Sequence, residues 1–303
     1  MLPHTQRSWI GKAHLVGKSV KPTYFRPAPL TTQNGRLSNS GTTSSRPLPE
    51  GSTDEEWILV DSTPASCVQI GLFHYFKSRG PIDLVVSGPN YGRNSTAVFS
   101  LSSGTIGGAM EAAVCGYKSI ALSYAFFDRN HDPDIISGAS TLSVKLIEHL
   151  FARWDATTHL YSVNVPLVEN VGARKILYTQ MLQNSWRSGS CFQVIDVPEE
   201  EDQTPQEVEA QLRKAEEKQG RKELKVRGEG TDSGRDTPTG PGHIRYTHQH
   251  FKWAPHFKDV YQSVEESEPG NDGWAVAQGY TSVTPLRANF MHVGGFEGEI
   301  KLE

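Results

Sequence analysis

Three cysteines in 303 residues, Cys67, Cys115 and Cys191, are odd in number and too far apart for a disulfide framework. Nor is there a C-x-x-C pair to found a structural zinc site. The count fits reduced thiols, and the cytoplasm is the expected address. Long apolar runs are equally scarce. No stretch approaches the roughly 18 consecutive apolar residues of a membrane span, and the N-terminus, with Pro3, His4 and Arg7, lacks the apolar region of a signal peptide. No membrane partner is expected. An excess of positive charge is also missing: 30 Lys+Arg stand against 34 Asp+Glu, a formal net charge of −4, so nucleic acid is not the expected partner. Small anions remain open to local sites. The glycines form neither G-x-G-x-x-G nor G-x-x-x-x-G-K-[ST], which leaves the chain without a dinucleotide fingerprint or a Walker A loop.

What the chain does have is distributed unevenly. Residues 27–53 are dominated by Ser, Thr, Pro, Gly and Asn, with Leu30, Leu37 and Leu48 too sparse to define a face, and read as a polar loop. A second polar tract, residues 198–242, opens on Glu199-Glu200-Glu201-Asp202 and reads as a disordered insertion, its Glu/Lys pairs having almost no apolar stripe to dock. No repeat is apparent. One domain over residues 1–303 carrying these two tracts is the expected organisation.

Between the tracts the periodicity is strong. Trp57-Ile58-Leu59-Val60 is a short apolar run, and Thr63-Pro64 supplies an N-cap followed by proline at the first helical position, predicting a helix to about Ser78. Ile82 to Val86 predicts a buried strand, Gly104 to Val114 a small-residue helix closed by Gly116, and Ser119 to Leu122 another strand. Leu142, Leu146, Ile147, Leu150 and Phe151 fall on one helical stripe, and Tyr161 to Val165 predict a fourth strand. Strands alternating with amphipathic helices imply βαβ units, hence a doubly wound, mainly parallel, Rossmann-like α/β sheet. Past Arg174 the helical signal fades. Ile176 to Met181 and Thr281 to Pro285 read as strands of β-rich C-terminal extensions, suited to subunit contact. His243, His248, His250 and His256 have no zinc spacing and read as solvated loop histidines.

Ligands in open parallel sheets bind beyond the carboxyl ends of the strands. The segment after Val86, Ser87-Gly88-Pro89-Asn90-Tyr91-Gly92-Arg93-Asn94, reads as a tight loop in which Asn90 and Asn94 offer amides to a ligand. The same residues are also ordinary turn formers. Ser102-Ser103-Gly104-Thr105 directly precedes the second helix, so hydroxyls and unpaired N–H groups gather at a helix N-terminus. This suits either an anion site or a simple N-cap.

These two segments, Ser87 to Asn94 and Ser103-Gly104-Thr105-Ile106-Gly107-Gly108-Ala109-Met110-Glu111, resemble the signature of the survival-protein SurE family of phosphatases and 5'-nucleotidases. Ser62-Thr63-Pro64-Ala65, Asn164-Val165-Pro166 and Gly279-Tyr280-Thr281-Ser282-Val283-Thr284-Pro285-Leu286 extend the match. Gly11-Lys12-Ala13-His14 and Pro89-Asn90 look most like its fungal branch. The resemblance implies a metal-dependent phosphomonoester hydrolase acting on nucleoside monophosphates or related small esters with Mg or Mn. It implies Ser8 and Asn90 as metal-binding positions, and Asn94, Ser103, Gly104 and Thr105 as phosphate- or substrate-binding positions. By the same resemblance a homodimer or homotetramer is expected. The family's Asn-Asp-Asp-Gly motif, whose two carboxylates hold the metal, is not in the chain, and Asp54 and Asp61 do not reproduce its spacing. An alternative therefore stands beside the enzyme: a non-catalytic binding or oligomerisation module of the same fold.

Overall fold

The computed structural model describes residues 1–17, 19–29, 31–33, 36–38, 40–128, 132–197, 248–290 and 299. The chain divides into two compact units, Met1–Arg187 with Phe257–Glu303, and Ser188–His256. The expected insertion at 198–242 lies outside the described residues.

The larger unit is built on a five-stranded sheet ordered β10-β13-β9-β8-β7, from β7 (Val85–Tyr91), β8 (Ser119–Ala125), β9 (Leu160–Pro166), β10 (Ile176–Tyr178) and β13 (Thr281–Leu286). β7, β8 and β9 run parallel, β13 is antiparallel to β9, and β10 is parallel to β13. Every residue of β8 and β9 is buried, as expected for central strands covered on both faces. Alternation divides β8 between the layers. Ile120, Leu122 and Tyr124 join Leu142, Leu146 and Leu150 of α4 (Pro133–Ala152) in one core, whereas Ala121 joins Ile106 and Ala109 of α3 (Gly104–Val114) in the other. Helices on both faces of a mainly parallel sheet make this the doubly wound α/β fold.

A second sheet, ordered β1-β6-β2-β5, pairs β1 (Leu2–Pro3) parallel with β6 (Trp57–Val60), and sets β2 (Pro22–Pro27) antiparallel between β6 and β5 (Gly41–Ser44). The polar loop expected at 27–53 thus contains β5 and a hairpin of β3 (Thr31–Gln33) and β4 (Arg36–Ser38). Ser and Thr serve as well in exposed strands as in loops once a neighbouring strand supplies the ladder.

Local chemistry accounts for the helix starts. Thr63 caps α1 (Pro64–Ile70) by accepting from the Ser66 N–H at 3.1 Å, with Pro64 at the first position. α1 then gives way to a π turn over Gly71–Tyr75 and a 3₁₀ turn over Lys77–Arg79, so the expected helix to Ser78 is broken into three geometries. The C-terminal third is not devoid of helices: α5 (Phe257–Glu265) and α6 (Asp272–Ala277) lie ahead of β13. α6 is only six residues long, whereas α5 carries Phe257, Val260, Tyr261 and Val264 at i, i+3, i+4 and i+7, a helical stripe that the sequence does show. The smaller unit contributes the antiparallel hairpin of β11 (Phe192–Val197) and β12 (His248–Trp253), so His248 and His250 sit on a strand.

Candidate anion-binding site

At the carboxyl end of β7 the chain differs from its sequence expectation. The loop expected from Ser87 is strand as far as Tyr91, with a register shift between Ser87 and Asn90. Gly88, at φ 128°, occupies that irregularity, and a Cβ there would run into the Leu122 carbonyl. Turn-forming residues are accommodated in a strand because β7 is an edge, where a bulge and Pro89 cost no interior ladder bond. The bulge carries Asn90 to the end of the sheet. Its Nδ2 donates to the Gly92 carbonyl at 2.9 Å, which leaves the Oδ1 as an acceptor.

Beyond β7 the chain is stitched down. The Asn94 N–H donates to Asn164 Oδ1 and its Nδ2 donates to Ser123 Oγ, both at 2.8 Å, and Ser100 Oγ donates to the Asn94 carbonyl at 2.7 Å. Asn94 therefore ties this segment to β8 and β9. α2 (Ala97–Ser102), a helix that sequence periodicity missed, leads directly into Ser103. Ser103 is the N-cap of α3 and accepts from the Ile106 N–H at 3.2 Å. The capping reading is thus fulfilled, yet the N–H groups of Gly104 and Thr105 still have no acceptor within the helix.

Residues 7–14 are fixed across this helix end. The Gly11 N–H donates to the Ser102 carbonyl at 2.9 Å, and Thr63 Oγ1 donates to the Ala13 carbonyl at 2.6 Å. Gly107 lets the backbone approach, since a Cβ there would overlap the Gly11 carbonyl. Beneath them lies Glu111, only 4% exposed. It meets Lys12 Nζ at 2.5 Å and accepts from Gln69 Nε2 at 2.5 Å, with His14 Nε2 at 3.5 Å. Burial pushes its carboxyl up, but the bonds from Gln69 and Lys12 and the charges of Lys12 and His14 outweigh burial and hold it below the usual carboxylate range.

The result is a cleft of about 380 Å³ into which all six sequence-derived positions converge: Ser8, Asn90, Asn94, Ser103, Gly104 and Thr105. Arg7, Arg93, Trp9 and Phe99 line it as well. Sequence reasoning had not weighted these four, although Arg7 and Trp9 flank Ser8 and Arg93 adjoins Asn94. Arg7 pairs with Asp61 at 2.6 Å, while its Nε is buried without a hydrogen-bond partner. The Arg93 guanidinium lies over the Tyr261 ring at 4.9 Å. Trp9 stacks on Phe257 at 5.8 Å between ring centroids and also meets Phe99 at 5.8 Å. The lining thus combines helix N–H donors and positive charge with aromatic rings.

The donor set does not fit the divalent cation that the resemblance implies. Mg and Mn take hard, preferably anionic, oxygen ligands, commonly six. Ser8 and Asn90 offer only neutral oxygens, and Ser8 Oγ already accepts from Gln6 Nε2 at 2.7 Å. Among the described residues no carboxylate lines the cleft, and no cluster of three His, Cys, Asp or Glu is placed to hold an ion. Asp61 is engaged by Arg7, and Asp54 sits in a turn with Ser52.

Comparison with known proteins bears on the same segments. Residues 1–188 match the family model "Survival protein SurE". The chain is 32% identical over 326 residues to the Saccharomyces cerevisiae protein "Probable tubulin–tyrosine ligase PBY1", covering 99% of this chain and 38% of that protein. It therefore spans well under half of that relative's length. It is 29% identical over 240 residues to "5'-nucleotidase SurE" of Ruegeria pomeroyi, covering 78% of this chain and 71% of that one. The crystal structure of the SurE protein from Aquifex aeolicus shares the fold, with a TM-score of 0.51 at 19% identity, covering 94% of this chain and 79% of that one. No helix among the described residues is long and apolar enough to cross a membrane. With the family model matched from β1 through the cleft to residue 188, the chain belongs to the survival-protein SurE family.

Proposed function

We propose that the cleft recognises the phosphoryl group of a small phosphate monoester, a nucleoside monophosphate above all, in a domain of phosphatase and 5'-nucleotidase type. The observation that carries this reading is the convergence of the free N–H groups of α3, the Ser103 and Thr105 hydroxyls and two arginines in one cleft. Helix N–H groups and guanidinium forks are matched to phosphate oxygens in geometry and charge. Trp9 and Phe99 supply a wall against which a flat organic group can lie. The name of the Ruegeria relative, a 5'-nucleotidase, agrees in substrate class. The absence of a carboxylate among the described lining residues favours a second reading, binding without turnover.

Calorimetric titration with AMP, competed by inorganic phosphate, tests the recognition. Binding relieved by phosphate is the expected result, and no binding would overturn it. Release of phosphate from AMP in Mg or Mn separates the two readings, since turnover supports the hydrolase and saturable binding without turnover supports the binding module.

The same reading includes self-association through the β11–β12 hairpin. Phe192, Val194, Phe251 and Trp253 share one face of it, paired Phe192 with Trp253 and Val194 with Phe251. Phe192, Val194 and Phe251 are 51%, 49% and 62% exposed. A two-stranded hairpin is marginal in water until such a face is covered, and a second copy of the chain is the occupant expected from the family resemblance.

A further inference from the structure

We infer that this chain holds the phosphoryl dianion directly on arginine, with no divalent cation bridging ligand and protein. The inference rests on the proposed phosphomonoester reading and follows from the mismatch between the cleft and a metal. Arg7 and Arg93 come from separate segments, one after β1 and one after β7, and both reach the lining. Guanidinium remains protonated at any physiological pH, so the lining is permanently cationic. The α3 N-terminus adds the positive end of a helix dipole of eleven residues. A divalent cation entering this cleft would meet two like charges and only neutral oxygens. A dianion would meet two cations and a row of donors.

Each arginine retains capacity. Asp61 occupies only one edge of Arg7, whose Nε is buried and unmatched. Arg93 is packed on the Tyr261 ring, which orients it without neutralising it, and has no carboxylate partner among the described residues. An anion seated on both would share Arg7 with Asp61. The counter-charge facing this group is Asp61, 66% exposed in its side chain. It competes with the ligand for Arg7.

The test is calorimetry with AMP on the whole chain in EDTA, repeated with millimolar Mg or Mn. The expected result is a dissociation constant that changes less than about twofold between the two conditions. Arg93→Met should weaken binding at least tenfold while Arg93→Lys retains part of it, with unchanged circular dichroism and melting temperature certifying the fold. Asp61→Asn, which releases Arg7, should tighten binding several-fold. Binding that vanishes in EDTA and returns with the metal would overturn the inference while leaving phosphomonoester recognition intact. An Arg93→Met variant that binds like the parent would do the same. Absence of binding in both conditions would overturn the recognition itself.

Discussion

Trp9 sits at φ 63°, in the left-handed region where a bulky residue is costly. It is held there by stacking on Phe257 and by contacts with Phe99 and Trp186. Glycine at this position would relieve about 1 kcal/mol of strain and lose about 3 kcal/mol of aromatic packing. Trp9→Gly is therefore expected to lower the melting temperature. It should also weaken AMP binding well beyond any change in the affinity for inorganic phosphate. Equal weakening of both ligands in a competition titration would show that Trp9 acts only through the backbone. Glu111 belongs to the same scale. Replacing it with Ala strands Lys12 and Gln69, at a cost of about 2 kcal/mol, less than the ~3–5 of a fully buried pair because Lys12 keeps some water. Its folded carboxyl lies below the unfolded one. Its contribution is therefore complete above the ordinary carboxylate range and fades as pH falls through the depressed folded value. Denaturant midpoints of parent and Glu111→Gln should converge as pH is lowered through that window.

Among the elements, α6 depends on one carboxylate. Asp272, 1% exposed, accepts from the N–H groups of Thr96 at 2.9 Å, Leu182 at 2.9 Å and Gly273 at 2.8 Å. It thereby joins the start of α2, the strand-end segment after β10 and its own helix. Burial raises its carboxyl above the ordinary range despite those bonds. The sign is opposite to that of Glu111: the stability it contributes is present below the ordinary carboxylate value and is lost as pH rises through the folded one. Asp272→Ala leaves two buried donors, Thr96 and Gly273, and the half-buried Leu182 N–H unmatched and should cost about 3 kcal/mol. Hydrogen exchange at Thr96 and Leu182 should accelerate first, because those amides lose their acceptor. In α4, Leu150 is 1% exposed in the larger core, and Leu150→Ala should cost about 2–5 kcal/mol by urea denaturation.

For the whole molecule the decisive feature is the β11–β12 hairpin. Its apolar face is expected to hold a second copy, giving a dimer or tetramer by light scattering. Val194→Asp with Phe251→Asp should shift the species to monomer while leaving AMP binding by the other unit within about twofold. A strict monomer before substitution would remove the hairpin's proposed role. The cleft itself is assembled wholly within the larger unit.

The α/β alternation, the caps at Thr63 and Ser103, the buried strands β8 and β9 and the six positions that converge on the cleft were legible in the sequence. Most are set by local chemistry, such as side-chain period, a hydroxyl beside a helix start, or a glycine where backbone must approach, whereas Ser8 was marked by the family resemblance alone. The helices α2 and α6 were not legible, because they are six residues each and depend on distant partners, Asp272 accepting from Thr96 at the start of α2; α5, with Phe257, Val260, Tyr261 and Val264 on one stripe, was legible. The extension of β7 through Gly88-Pro89 was hidden for a similar reason, since only a neighbouring β8 turns turn-formers into a bulged edge strand. The sequence by its local chemistry placed hydroxyls and helix N–H groups at the start of α3, beyond the strand ends. The charge of the cleft was set by contacts distant in sequence. Arg7 and Arg93, 86 residues apart in the numbering, become one cationic lining when β1 and β7 deliver them to the same helix end, and Asp61 is spent on Arg7.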